Sequence, residues 1–268
     1  MRTPSGRLGL VASDLDGTLL ANDDTVSART YAAVHASIAT GARFVIATGR
    51  PARWTEPVMS SLRVEGFALC ANGAVTYDFA SQRVIRSRLL SSNAALAAVD
   101  ALLTVLPDAT FAVELADGRL ARDPAYVSKW PMPPDTVVAP VRELLVHPVV
   151  KVLLRHEGYE AETMFAMVGA AVDGLAHATM GGSDTLVELM AIGANKGDAL
   201  AELAGEWGID AQDCVAFGDM PNDVEMLRWA GLGVAMDNAH ASVRAVADHV
   251  THSNDDHGVA VVLERLVS

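Results

Sequence analysis

An alternation of short apolar runs with helix-patterned segments, present at both ends of the chain and lost in its middle, constrains the fold more than any other feature. Residues 8–13 form an apolar run that reads as a buried strand. Ser27 stands as N-cap for a helix through Thr40, with Gly41 placed to end it. Residues 43–48 read as a second strand, Pro51 suits the first turn of another helix, and 67–71 read as a third strand. Asn72-Gly73 then turns into 75–77. From Lys196 the same rhythm returns: helix over 197–207, strand 214–217, helix 221–229, strand 232–235, helix 239–247 and a closing helix over 259–266. This pattern predicts an α/β core, a mainly parallel sheet with helices on both faces.

Between the two halves the rhythm changes. Strands are expected over 84–89, 110–115, 149–154, 175–179 and 186–190, and helices over 93–106 and 160–172. A proline-rich stretch, 129–140, is incompatible with regular helix or a central strand. The expected organisation is one α/β core built from 1–80 and 188–268, interrupted by an α+β domain over 81–187.

Composition excludes several classes of function. A chain 51% apolar and 20% charged, with no low-complexity tract, is not a disordered one. The net charge of −13 repels phosphate backbones, so nucleic acid is not an expected partner, and any anionic substrate must meet locally supplied positive charge. The two cysteines, Cys70 and Cys214, have no metal-ligand spacing and read as buried thiols of a reducing compartment. Residues 1–9 lack the apolar run of a signal peptide, and no stretch approaches a membrane span, so a cytoplasmic protein without membrane attachment is expected.

The strongest local motif is Asp14-Leu15-Asp16-Gly17-Thr18, directly after the first strand. In open α/β sheets ligands bind outside the carboxyl ends of strands, so both carboxylates stand where chemistry is expected. Alternation at the strand end points the two side chains differently, and Gly17 permits a tight turn. Carboxylates this close repel unless a cation neutralises them. A second acidic segment, Gly218-Asp219-Met220-Pro221-Asn222-Asp223, follows another strand, and Asp14, Asp219 and Asp223 together suit Mg²⁺. Thr48-Gly49-Arg50 ends the second strand and offers a hydroxyl and N–H groups to an oxyanion, and Asn195-Lys196-Gly197 opens a helix with a lysine. Taken singly these are also ordinary capping and surface segments.

In order, DLDGT, TGR, NKG and GDMPND resemble the four motifs of haloacid dehalogenase superfamily phosphatases, and the insertion resembles the type IIB cap of the Cof-type subfamily. Two later stretches, 233–239 (GVAMDNA) and 247–260, resemble that subfamily's tail, with Asp237 where glycine is frequent. The resemblance implies a Rossmann-like core and an aspartyl-phosphate mechanism: Asp14 as nucleophile, Asp16 as acid and then base, Thr48 and Lys196 on the phosphoryl oxygens. It further implies Leu15, Gly49, Arg50, Asn195 and Asn222 around the substrate. Mg²⁺ would be held by Asp14, the Asp16 carbonyl oxygen, Asp219 and Asp223, the last directly or through water. A carboxylic acid at position 16 favours rapid hydrolysis over a long-lived phosphoenzyme. The implied substrate is a small phosphorylated metabolite such as a sugar phosphate; a sugar phosphomutase and a non-catalytic phosphate sensor are the alternatives.

Other patterns lead nowhere: there is no Walker-type glycine loop, Gly181-Gly182-Ser183 is not a nucleophile elbow, and Asp255, Asp256 and Gly258 do not have calcium-loop spacing. Lys151 and Arg155 read either as substrate-facing or as strand-edge charges. Neither the leaving group nor the oligomeric state has a sequence signature.

Overall fold

The computed structural model describes residues 3, 5–180 and 186–268, so Gly181-Gly182-Ser183 and part of the 1–9 segment lie outside the described residues. The chain divides into two compact units, Met1–Arg86 with Asn195–Ser268, and Ser87–Ala194.

The first unit opens with β1 (Leu10–Ser13), α1 (Ala28–Ala39), β2 (Arg43–Ala47), α2 (Ala52–Leu62), β3 (Phe67–Cys70), β4 (Val75–Asp78) and β5 (Arg83–Ser87). Ser27 caps α1 by accepting from the Thr30 N–H, and Gly41 follows the helix with φ +93°, as the sequence implies. The inserted unit contains α3 (Ser92–Val105), β6 (Thr110–Leu115), β7 (Leu120–Arg122), β8 (Val137–Val138), α4 (Val141–Leu144), β9 (Val149–Arg155), α5 (Ala161–Ala171), β10 (His177–Met180) and β11 (Leu186–Met190). The chain then returns through α6 (Lys196–Glu206), β12 (Cys214–Gly218), α7 (Val224–Trp229), β13 (Leu232–Ala235), α8 (Ala241–Arg244), β14 (His249–Val250) and α9 (Gly258–Val267).

The first unit is built on an eight-stranded sheet of order β14-β13-β12-β1-β2-β3-β4-β5. From β14 to β3 every pairing is parallel, and β4 returns antiparallel to β3. Such strands are covered on both sides, which is why β1 is a run of four buried residues rather than an alternating one. Leu10, Ala12, Val45, Leu69 and Ala216 pack with Leu200, Leu203, Met226 and Leu227 of α6 and α7. Strand order reverses at β1, which lies between β2 and β12 with Ser13 in register with Ile46 and Phe217. The loops leaving these three strands therefore emerge together at a topological switch point, the crevice in which α/β sheets bind ligands.

The inserted unit is a six-stranded sheet of order β10-β11-β9-β6-β7-β8. Phe111, Val113, Val152, Leu154, Val187 and Leu189 face α3 and α5, where Val99, Leu102, Met164 and Val168 meet them. Lys151 and Arg155 are not at a strand edge: β9 is interior, Lys151 pairs with Glu188, and the Arg155 Nε donates to the Tyr126 hydroxyl at 3.3 Å.

The unit boundaries lie beyond the 80/81 and 187/188 expected from the sequence. β5 neighbours β4 in the first sheet, while β11 pairs antiparallel with β9 and β10 in the second. The expected helix over 239–247 is shortened to α8. The chain turns back so that the Asp248 N–H donates to the Gly233 carbonyl at 2.8 Å, which lays β14 beside β13. In the proline-rich stretch only β8 is regular, two residues at the edge of the sheet. Among the described residues no helix is long and apolar enough to cross a membrane.

Candidate active site

Asp14 leaves β1 with its N–H donating to the Phe217 carbonyl at 3.0 Å, so the first acidic loop starts locked to β12. The next five residues form a wide turn in which the Leu20 N–H donates to the Leu15 carbonyl at 2.9 Å. Gly17 takes φ +72° there, and a Cβ would stand 2.4 Å from Asp219 Oδ2; no other residue type fits both demands. The turn separates the two carboxylates, since Asp14 is buried whereas Asp16 is exposed.

Asp14 faces inward. Lys196 Nζ, fully buried at the start of α6, lies 2.7 Å from Asp14 Oδ1 and 2.7 Å from Asp223 Oδ1. The lysine arrives there because Gly197 lets α6 press against α7, where a Cβ would meet the Glu225 carbonyl carbon at 2.6 Å. Asp223 uses its second oxygen to accept from the N–H groups of Asp219 and Met220, each at 3.0 Å, and so folds the second acidic loop. Asp219 accepts from the Thr18 hydroxyl at 2.9 Å. Oxygens of Asp14, Asp219 and Asp223 all lie within 4.8 Å of one another.

Three buried carboxylates thus face one ammonium. Burial raises the Asp14 carboxyl well above its ordinary value; Lys196 pulls it back down, while Asp223, Asp219 and Asp16 push it further up. Burial and the charge of Asp223 push Asp219 up to about 7. For Lys196, burial works against the charge, yet Asp14 and Asp223 raise its pKa above the ordinary lysine range. A cluster of this kind lacks positive charge, and its hard, all-oxygen donors suit a divalent cation.

Asp16 points elsewhere. Arg50 Nε donates to Asp16 Oδ2 at 2.9 Å, its Nη2 closes the fork on Oδ1, and the same Nη2 reaches Asp24 at 3.1 Å. Thr48 is fully buried at the end of β2, and its hydroxyl oxygen accepts from the Arg50 N–H at 3.1 Å. Gly49 follows it, where a Cβ would lie 3.1 Å from Asn72 Oδ1. Asn222 Nδ2 donates to that same Asn72 Oδ1 at 2.8 Å, and the Asn222 Oδ1 is buried with no hydrogen-bond partner among the described residues.

The structure therefore gathers Asp14, Asp219, Asp223 and Lys196 into one cluster, holds Asp16 with Arg50, and ties Asn222 to the turn after β3. Asn195 takes a different part: its Oδ1 accepts from the Asp198 N–H at 2.8 Å and its Nδ2 donates to Asp198 Oδ2 at 2.8 Å, so its side chain caps α6. Asn72 escaped the sequence reading, where Asn72-Gly73 registered only as a turn. Its φ of +55° is that turn, and the conformation carries its amide to Asn222.

Comparison with known proteins agrees with this layout. Residues 11–263 match the family model of the haloacid dehalogenase-like hydrolases. The pyridoxal phosphate phosphatase YbhA of Escherichia coli (strain K12) is 29% identical over 268 residues, covering 94% of this chain and 96% of that protein. The 5-amino-6-(5-phospho-D-ribitylamino)uracil phosphatase YwtE of Bacillus subtilis (strain 168) is 27% identical over 285 residues, covering 96% and 98%. The solved structure of BT4131, described as a HAD subclass IIB sugar phosphatase, superposes with a TM-score of 0.81 at 21% identity, covering 96% of this chain and 98% of that one. With its acidic loops at the switch point of a parallel sheet and an inserted α+β unit, the chain belongs to the haloacid dehalogenase-like hydrolases and is an enzyme of that family.

Proposed function

We propose that this hydrolase is a phosphatase that cleaves a small phosphomonoester through an aspartyl-phosphate at Asp14. One observation carries the reading: a buried carboxylate held at 2.7 Å by a lysine, with a second, exposed carboxylate two residues on. An oxygen of Asp14 attacks phosphorus and the ester P–O bond breaks, while Asp16 passes a proton to the departing alcohol oxygen. Asp16, now a carboxylate, then takes a proton from water, whose oxygen attacks phosphorus and returns Asp14 with inorganic phosphate. Lys196 and Thr48, with the N–H groups of Leu15 and Gly49 and the side chain of Asn222, stabilise the phosphoryl oxygens. Arg50 orients Asp16 and the substrate. Asn195 serves the site by capping the helix that delivers Lys196.

The implied cation is Mg²⁺, and the crowded carboxylates of Asp14, Asp219 and Asp223 fit it. With the Asp16 carbonyl oxygen they would hold it, Asp223 directly or through water. When bound, the ion supplies charge neutralisation for the phosphoryl group.

The relatives that are phosphatases and the sugar phosphatase of the same fold support a small phosphorylated metabolite, such as a sugar phosphate, as substrate. Two buried thiols, Cys70 and Cys214, support a reducing, cytoplasmic setting. The test is release of inorganic phosphate from p-nitrophenyl phosphate with Mg²⁺. In Asp14→Asn turnover is expected to fall by more than about a thousandfold, as for loss of other nucleophiles. Undiminished turnover in that variant overturns the reading.

A further inference from the structure

Two tail segments, 236–240 and 251–258, have no part in the chemistry above, yet both end on the backbone of the Asp14–Leu20 turn. Asn238 Nδ2 donates to the Gly17 carbonyl at 2.8 Å. Asn254 Nδ2 donates to the Leu20 carbonyl at 3.0 Å and to Asn22 Oδ1 at 3.1 Å, which occupies both of its hydrogens. Asp255 accepts from the Asn22 N–H at 2.9 Å. The two segments are joined to each other, since Asn238 Oδ1 accepts from the Asn254 N–H at 3.1 Å and the Asp237 N–H donates to the His252 carbonyl at 3.3 Å. The first segment also holds the other acidic loop, through the His240 N–H on the Asp219 carbonyl at 2.8 Å.

The turn needs such support. Between Asp14 and Leu20 its backbone closes wide bonds, the Leu19 N–H to the Asp14 carbonyl at 3.3 Å and the Leu20 N–H to the Leu15 carbonyl at 2.9 Å, and Asp16 and Gly17 depart from helical angles. Side-chain amides are suited to the task because the carbonyls of Gly17 and Leu20 require donors, and an aspartate of the same shape offers none.

We infer that Asn238 and Asn254 are positioning residues that clamp the Asp14–Leu20 turn from the carboxyl-terminal segment, while the same segment fixes Asp219, so that the tail sets the spacing between the two acidic loops. The inference rests on the phosphatase reading for its kinetic consequence and on geometry alone for the clamp.

The experiment uses the full-length protein and two readouts. Hydrogen–deuterium exchange is followed by mass spectrometry on peptides spanning 14–22, and kcat and KM are measured on p-nitrophenyl phosphate with Mg²⁺. In Asn238→Ala and Asn238→Asp, exchange in 14–22 is expected to rise by about tenfold, the factor that corresponds to one net hydrogen bond. Exchange elsewhere and the melting temperature are expected to stay near wild type, because Asn238 is exposed. kcat is expected to fall by a similar factor with KM within about twofold, the signature of a misplaced nucleophile rather than lost substrate contact. Asn254→Ala repeats the measurement from the second segment. Asp237→Ala is the control, since its carboxylate meets Arg244, and it is expected to change neither readout. Unchanged exchange in 14–22 overturns the clamp whatever happens to activity, and a uniform rise with a lower melting temperature reduces it to ordinary stability. A local rise with wild-type kcat overturns the positioning role. The exchange arm uses no substrate, so a wild-type protein that releases no phosphate defeats the phosphatase reading while the clamp is still decided.

Discussion

Two carboxylates two residues apart meet opposite environments, and their chemistry divides accordingly. Asp14 is enclosed with a lysine, which suits an atom that must bond to phosphorus, whereas Asp16 is solvent-facing and held by a guanidinium that can exchange partners. If Asp16 protonates the leaving group, Asp16→Asn is expected to cost about 10²- to 10⁴-fold on an alkyl phosphate. In kcat/KM, which reports the first half-reaction, the cost should be far smaller on p-nitrophenyl phosphate, whose departing phenolate needs little help, while kcat should fall on both because water attacks the same aspartyl-phosphate. Steady-state kcat/KM on the two substrates checks this, and an equal loss of kcat/KM on both would remove Asp16 from protonation of the leaving group. The thiols behave as buried bystanders: burial pushes Cys214 up to about 12, so native protein is expected to leave it unalkylated by iodoacetamide near pH 8 until unfolding. The carboxylates were legible in the sequence because two acidic pairs at strand ends have few structural uses. The amides were not, because a turn decides which atom an asparagine reaches. Asn72 and Asn238 lie far in sequence from the groups they bond, and Asn195 turned its polar atoms to its own helix.

At the level of elements, the site depends on how closely α6 and α7 approach. Lys196 can reach Asp14 only if the first turn of α6 sits on α7, and Gly197 leaves the space for it. Gly197→Ala forces a Cβ against the Glu225 backbone, and overpacking of this kind costs about 1–3 kcal/mol. The expected result is a lower denaturation midpoint together with loss of activity larger than at surface alanine substitutions, measured by urea unfolding and phosphate release. Unchanged activity would mean that the lysine keeps its place without the close approach. Most elements could be read beforehand because a buried parallel strand is a bare apolar run, as in β1 and β12, and because Ser27 announces α1. What escaped was governed by partners distant in sequence. β14 exists through pairing with β13, and the length of α8 follows from that pairing. The placement of β5 with the first sheet and β11 with the second was hidden for the same reason, since nothing local in either strand says which sheet it joins.

Across the whole molecule, acidity and the cluster act together. The chain carries a net charge of −13, and the cluster concentrates three carboxylates around one lysine, so without a cation the folded state holds repulsion that unfolding relieves. The Asp219 carboxyl stands at about 7 when folded against an ordinary 3.8, and that of Asp14 is also raised. Between those values the folded protein binds more protons than the unfolded chain, so stability contributed by these groups is present at low pH and declines as pH rises through the window. After treatment with a chelator, the melting temperature is therefore expected to fall between about pH 5 and pH 8. Mg²⁺ must bind deprotonated carboxylates, so the rise it produces should be larger at pH 8 than at pH 5. Asp219→Asn removes one charge from the cluster. It is expected to raise the chelator-treated melting temperature at pH 8, flatten its dependence on pH and reduce the response to Mg²⁺, all by calorimetry. A chelator-treated wild type that gains stability towards pH 8 would show that other groups outweigh the cluster, and an undiminished Mg²⁺ response in Asp219→Asn would place the cation elsewhere.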